Sequence, residues 1–209
     1  MNRTILYYTS NKEDEVFEKK IRENILKQCG DIPIVSVSQK PIDFGQNICV
    51  GDVGSSYFNQ WRQILIGLKT VKTKYVIFCE SDFLYSKDYF DFKPKDNLSR
   101  YENVWIVFNY RINGYNRKIY SEGAQVGNTK YLIDQYEKFF EDKPEWSNLR
   151  LGKNNYPLFA EPFSWFTGTP CVSFKTGKGV RAFTNTLKHR ETTLPYWGDV
   201  EKLKEKYLC

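Results

Sequence analysis

Histidine is almost missing from this chain: there is one, His189, in 209 residues. Cysteine is present but unorganised, with five residues at positions 29, 49, 79, 171 and 209 and no Cys-x-x-Cys pair. Those two shortages exclude a zinc site of paired Cys and His ligands and argue against a disulfide framework. A reducing compartment, the cytoplasm, is the expected setting. No apolar h-region opens the chain and no apolar run approaches bilayer thickness, so no membrane span is expected. Neither a Lys-Ser/Thr-ended P-loop nor a G-x-G-x-x-G run occurs, and no internal repeat or low-complexity stretch.

What is there suits one soluble domain, residues 1–209, with 41% hydrophobic and 27% charged residues. Aromatic content is high at 17%, which implies thick aromatic packing or a groove for flat ligands. The net charge of +6 is scattered rather than gathered in runs, and favours an anionic partner such as a nucleotide, a nucleic acid or a phosphorylated glycan.

In order, Thr4–Tyr8 reads as a buried strand. Ser10 and Glu13 then offer a capping box to a helix with Phe17, Ile21 and Ile25 on one face, stopped near Cys29-Gly30. Ile32–Val37 is a second strand, so the opening is a β-α-β unit with a right-handed crossover. Asn47–Val50 is a shorter strand. The loop Gly51-Asp-Val-Gly-Ser-Ser56 feeds a helix whose buried face is Tyr57, Trp61, Ile64, Leu65 and Leu68. Residues 83–100 read as a loop with a helical turn. Asn103–Phe108 is a strand, paired with 116–120 through a type I′ turn at Asn113-Gly114. Residues 128–141 have helical spacing, 142–168 read as irregular, Cys171–Lys175 as a last strand, Gly177-Lys178-Gly179 as a turn, and 199–208 as a terminal helix.

The centre of the pattern is Tyr75-Val-Ile-Phe-Cys-Glu80-Ser-Asp82. Five apolar residues ending in two acids read as a strand buried on both faces. Ligands of α/β sheets bind at the carboxyl ends of their strands. In extended chain Glu80 and Asp82 point the same way and can converge on one divalent cation; a strand ending in a solvated acidic loop would look the same.

The run Phe78-Cys-Glu-Ser-Asp-Phe-Leu-Tyr85, with the Gly-Ser loop and Gln63-Ile-Leu-Ile-Gly-Leu68 before it, resembles the donor half of the GT-A nucleotide-sugar glycosyltransferases and their Asp-x-Asp motif. With Pro170-Cys-Val-Ser-Phe-Lys-Thr-Gly-Lys-Gly-Val180 and Pro195-Tyr-Trp-Gly198, the chain is similar to small bacteriophage-type and prokaryotic members. Two departures stand out: Glu80 replaces the first Asp of the motif, and Thr176 stands where those relatives carry a His before the glycine.

The resemblance implies an α/β, GT-A-like (Rossmann-like) fold: a mostly parallel sheet flanked by helices, with a smaller mixed region. Residues 1–100 would form the donor half and 101–209 the acceptor half. It implies a metal-dependent, inverting enzyme that moves a sugar from a nucleotide-diphosphate sugar, UDP-sugar favoured, to a hydroxyl acceptor such as DNA or a glycan. Mn²⁺ or Mg²⁺ would sit on Asp82 and Glu80, with His189 completing the site, and would act as a Lewis acid on the leaving diphosphate. Tyr8, Thr9, Ser10, Asp52, Ser56, Gln63 and Glu80 would hold the nucleotide. Glu161, an acid in aromatic sequence whose burial would raise its pKa, is the candidate catalytic base beside catalytic Asp82, with Asp142 and Glu122 in reserve. Two alternatives stay open: a nucleic-acid-binding protein using cations among aromatics, and a nucleotidyltransferase on a similar sheet.

Overall fold

Alternation along two adjacent strands sets the layers. In β1 (Arg3–Thr9), Ile5 and Tyr7 join one core cluster while Leu6 and Tyr8 join another. Side chains of a strand alternate between faces, so β1 is covered on both sides. The computed structural model describes residues 2–109, 114–118, 121–149, 151, 155–158, 160–178 and 186–209.

After β1 come α1 (Glu15–Cys29), β2 (Ile34–Ser38), β3 (Gln46–Cys49), α2 (Tyr57–Thr70) and β4 (Tyr75–Glu80). The chain then runs through β5 (Phe83–Leu84), α3 (Lys87–Asp91), β6 (Leu98–Tyr101), β7 (Val104–Phe108), β8 (Tyr115–Lys118), β9 (Gln125–Asn128) and α4 (Thr129–Phe140). It closes with β10 (Ser164–Phe166), β11 (Cys171–Lys175), β12 (Thr186–Glu191), β13 (Thr193–Leu194), β14 (Gly198–Asp199) and α5 (Val200–Leu208). Among the described residues, seven strands form one sheet in the order β10-β6-β9-β4-β1-β2-β3, and five form a second, β12-β8-β7-β11-β5. β1 to β4 are parallel, and β9 enters antiparallel between β4 and β6. The expected α/β architecture, with a mostly parallel sheet and a smaller mixed region, is the one observed. The large sheet draws strands from both halves of the chain.

α2 and α4 cover one face of the large sheet through Phe58, Trp61, Leu65, Leu132 and Tyr136, while α1 covers the other through Phe17, Ile21 and Ile25. The second sheet packs on the α1 side, with Phe83, Val104, Val107 and Phe174 in the same cluster as Ile77 and Cys79. β4 is therefore central in both senses. Its last residue leads through the Ser81-Asp82 turn directly into β5, so the acids stand where the chain crosses from one sheet to the other.

Several expectations need correction. The helix start is capped by Asp14, which accepts from the Val16 and Phe17 amides at 3.0 and 3.2 Å; Ser10 and Glu13 form no capping box there. Residues 83–100 hold the expected helical turn as α3, but β5 and the start of β6 replace the loop around it, with Tyr85, Tyr89 and Phe90 buried and Tyr85 stacked on Tyr89. β6 was invisible to hydrophobic pattern because it buries Ser99 and Arg100, whose guanidinium donates to the Leu158 carbonyl at 2.8 Å and lies over the Phe163 ring. β7 and β8 do form an antiparallel pair, in a register that sets Val107 opposite Tyr115. Asn113 and Gly179, and with them the details of both expected turns, lie outside the described residues. β9, β10 and β12 to β14 were not expected from sequence, all but β12 having four residues or fewer.

Trp61 is 2% exposed and packs against Tyr57, Phe139 and Tyr156 with ring centroids at 5.8, 5.3 and 5.6 Å. Trp61→Ala is expected to lower the unfolding free energy in urea by about 3–5 kcal/mol. A loss below about 1 kcal/mol would mean that α2 is not docked through this side chain.

Candidate active site

Glu80 ends β4 on the side of Val76 and Phe78, toward α2. Tyr8, its register partner on β1, donates its hydroxyl to Glu80 Oε1 at 3.2 Å, and Gln60 Nε2 donates to the same oxygen at 3.2 Å. A Cβ at Gly123 would lie 2.4 Å from the Glu80 carboxylate, so only glycine lets the acid lie against that backbone. Burial raises the Glu80 carboxyl above its ordinary value and Asp82 adds to the rise, while Lys175 and Lys118 oppose it.

Asp82 stands in the turn after β4. Its Oδ2 is 2.6 Å from Lys175 Nζ, with 17% and 15% of the two side chains exposed. Its Oδ1 is buried without a hydrogen-bond partner among the described residues. The Asp82 carbonyl also accepts from the Phe174 amide at 2.7 Å, which binds the turn to β11 through the backbone. Burial disfavours the Lys175 ammonium, but Asp82 and then Glu80 outweigh it and hold the lysine above its usual range. Lys118 comes from β8, donates to Ser121 Oγ at 3.0 Å, and is lowered by burial and by the like charge of Lys175. Glu122 faces Lys118 and Glu80, and its carboxyl is pushed up to about 7, chiefly by burial and against the pull of Lys118. Glu13 accepts from Thr176 Oγ at 2.6 Å and is raised by burial, with Asp82 adding to the rise.

The nucleotide set expected from sequence is divided by the fold. Tyr8, Glu80 and Asp82 are brought together. Ser10 and Ser55 meet at 3.5 Å, joining the loop after β1 to the loop before α2. Asp52 caps Gly54 at 3.3 Å and pairs with Lys12 at 3.5 Å in solvent. Three others are engaged in packing: Thr9 donates to Glu18 Oε1 at 2.8 Å, Ser56 caps α2 and donates to the Ser147 carbonyl at 2.6 Å, and Gln63 ties the Thr9 carbonyl to α2 at 2.9 Å.

Two expected site residues are not assembled with the acids. β10 runs parallel to β6, both antiparallel to β9, as is β4, so Ser164 lies in the row of Ser99, Val126 and Ile77. Glu161, three residues before Ser164, therefore sits beyond the start of β4, on the order of 20 Å along the strands from Glu80. There its carboxylate accepts from the Tyr131 hydroxyl. His189 lies on β12, at the opposite edge of the second sheet from β5, roughly 19 Å across the intervening strands. Its imidazole pairs with Glu191 at 3.1 Å and packs on Trp105. Asp142 follows α4, exposed and in a left-handed backbone (φ 56°).

The donor set drawn from sequence thus does not fit a three-ligand metal centre. Asp82 is ion-paired, Glu80 takes hydrogen bonds from Tyr8 and Gln60, and His189 is remote. Among the described residues, no group of three or more His, Cys, Asp and Glu side chains is placed to share an ion. Glu122 joins the acids from its reserve position, and Lys175, Lys118, Gln60 and Glu13 were not foreseen. Lys175 carried a signal that could have found it, since Cys171-Val-Ser-Phe-Lys175 ends an apolar strand in a charge just as Tyr75–Glu80 does.

No family model and no curated protein sequence matches the chain. Solved structures do. TarS 1-349 of S. aureus aligns at a TM-score of 0.50 and 12% identity, over 84% of this chain and 60% of that one. The bifunctional IspDF from Campylobacter jejuni aligns at 0.49 and 13% identity (80% and 50% covered). The glycosyltransferase GlyE of Streptococcus pneumoniae TIGR4 aligns at 0.49 and 14% (79% and 45%). The chain thus spans about half to three-fifths of these proteins. TarS 1-349 has also been solved in complex with UDP-GlcNAc and with UDP. At such identity the likeness to TarS bears on fold, and the GT-A-like, Rossmann-like architecture expected from sequence is consistent with it. No helix among the described residues is long and apolar enough to cross a membrane.

Glu18 supplies a pH test of this region. Its carboxyl, 2% exposed, is raised by burial to about 7 from an ordinary 4.5, against the hydrogen bond from Thr9 and the charge of Arg22. The folded chain then binds this proton more tightly than the unfolded chain. The stability Glu18 contributes is complete below 4.5 and is lost as pH rises through about 7. Urea unfolding across that window should show stability falling with pH in the wild type and a flatter profile in Glu18→Gln. Identical profiles would mean that Glu18 is not held protonated by the fold.

Proposed function

We propose that this chain is a nucleotide-sugar glycosyltransferase of GT-A type, with UDP-sugars as the favoured donors and a hydroxyl as acceptor. The observation that carries the reading is the group at the end of β4: Glu80 and Asp82 beside two ammonium groups, Lys175 and Lys118, with Glu122 raised to about 7 at the same place. The carboxyl edge of a parallel strand is where α/β sheets take their ligands. The fold likeness to TarS, a protein solved with UDP-GlcNAc and with UDP, supports the same assignment.

The chemistry follows from where charge moves. In a single, inverting displacement the acceptor oxygen attacks the anomeric carbon. The carbon–oxygen bond to the diphosphate breaks, and its electron pair leaves with the phosphate. The acceptor proton goes to a carboxylate, and an acid that titrates near 7 is suited to take it. Glu122 replaces Glu161 in that role, because Glu161 stands at the far end of the sheet. Charge building on the leaving diphosphate is offset by the lysines. Tyr8, beside Glu80, and the loops joined at Ser10 and Ser55 would border the bound nucleotide. The metal-dependent form of this reading, with Mn²⁺ or Mg²⁺ on Asp82 and Glu80, requires Asp82 to exchange its Lys175 contact for the ion.

Residues 1–100 then supply most of the donor side, while residues 101–209 supply Glu122 toward the acceptor and lend Lys118 and Lys175 to the donor diphosphate. The net charge of +6 favours an anionic acceptor, DNA with a modified base or an acidic glycan. Transfer to duplex DNA, lipid-linked sugar and protein should be compared directly. Nucleotidyl transfer on the same sheet would instead release pyrophosphate, and nucleic-acid binding without transfer would release nothing.

The test is a screen of UDP-, GDP-, CDP- and TDP-sugars on the wild type and Asp82→Ala. At least one donor should bind to the wild type and bind more weakly to Asp82→Ala. The absence of any nucleotide binding would sink the reading. In turnover, Glu122→Gln should lower kcat by about 10²- to 10⁴-fold with nucleotide affinity kept. The wild-type kcat/KM should rise with pH through about 7, as the base loses its proton. An unaltered kcat in Glu122→Gln would remove the base assignment.

A further inference from the structure

The carboxylate that the motif would give to a metal is already paired. Asp82 Oδ2 lies 2.6 Å from Lys175 Nζ, and both side chains are more than four-fifths removed from solvent. The contact is braced on each side. Lys175 is the last residue of β11, and the Phe174 amide before it holds the Asp82 carbonyl at 2.7 Å. Thr176 after it donates to Glu13 at 2.6 Å, fixing the strand end against the segment that leads into α1. Glu80 cannot readily replace Asp82 as a ligand, because its Oε1 takes donors from Tyr8 and Gln60 and its carboxylate is pressed against Gly123.

Resting on the nucleotide-sugar reading above, we propose that Lys175 stands in for the divalent cation, holding the donor diphosphate through its ammonium so that nucleotide binding needs no metal. An ammonium has three donors; Asp82 takes one and positions the group, and two remain for phosphate oxygens. Lys118, which donates to Ser121 Oγ at 3.0 Å two residues before the Gly123 that packs on Glu80, brings a second amine to the acids. A doubly charged ion brought to Asp82 would meet both lysines, and removing Lys175 from Asp82 would leave a buried charge uncompensated. The competing position for an ion is Asp82 Oδ1, the buried oxygen with no hydrogen-bond partner among the described residues.

The experiment is calorimetric titration of the whole chain with UDP, GDP, CDP and TDP, once in EDTA and once with Mn²⁺. The best-bound nucleotide should show the same affinity in both. Lys175→Met should weaken that affinity in EDTA by at least about tenfold, the scale of losing one partner of a buried charge contact. Freed of its ammonium, Asp82 should then let Mn²⁺ restore part of the binding, giving the variant a metal dependence that the wild type lacks. Because Lys175→Met leaves Asp82 unpaired and can unfold the chain, Lys175→Met/Asp82→Asn removes both charges together. It should stay folded by circular dichroism and bind weakly with or without Mn²⁺. Wild-type binding that appears only with Mn²⁺ overturns the inference while leaving the nucleotide-sugar reading intact, as does double-variant binding at wild-type strength in EDTA. Failure of every nucleotide in both conditions refutes the nucleotide-sugar reading and this inference with it.

Discussion

The ion pair between Asp82 and Lys175 ties together the ends of two strands that belong to different sheets. β4 delivers Asp82 at the moment it leaves the seven-stranded sheet, and β11 delivers Lys175 from the middle of the five-stranded one. Two largely buried charges at 2.6 Å must stay together, since separating them costs several kcal/mol of uncompensated burial. The backbone bond from Phe174 to Asp82 repeats the tie one atom layer away. The seam between the sheets is thus held by the same atoms that would meet a ligand.

Around that seam, the fold gathers charges that water would normally separate. Burial pushes the carboxyls of Glu80, Glu122 and Glu13 up and Lys118 down, whereas Lys175 is held above its usual range by Asp82 and then Glu80 against its burial. Acids pushed upward beside Lys175, which is held charged, make an arrangement with both a proton acceptor near neutrality and an anion-binding centre. Pairs of titratable groups forced apart by their surroundings are what acid–base sites require. Structural ion-pair networks share part of this signature; Asp82 Oδ1, buried with no hydrogen-bond partner among the described residues, sets this cluster apart from a fully satisfied one.

Much of the fold was legible because its central elements are long, apolar and regular. β1, β2, α2 and β4 stand within about two residues of where periodicity puts them, and α1 ends where expected but is capped at Asp14 rather than Ser10, as fits elements whose buried faces dominate their energetics. β6 and β9 were not legible, since each is four residues long and buries polar groups whose partners are distant in sequence, and β10 is three residues with a single buried side chain, Phe166. Arg100 is the clearest case: its bond to Leu158 and its stacking on Phe163 exist only after the chain has closed on itself. The same holds for Glu161, which in sequence sits among aromatics like a buried base. Strand direction places it at the wrong end of the sheet.

Sequence alone determined that a buried strand would end in Glu80 and Asp82 at the ligand-binding edge of an α/β sheet, because apolar runs and abrupt acids are local properties. Tertiary structure decided what surrounds them. Lys175 is 93 positions from Asp82, Gly123 is pressed on Glu80 from across the sheet, and Lys118 and Glu122 arrive from the second sheet and the segment after it. It likewise decided that His189, a plausible metal ligand by residue type, is carried to the opposite edge with Glu191 and Trp105. Electrostatic partnership depends on distance through space, and only the pairing order of the strands supplies that distance.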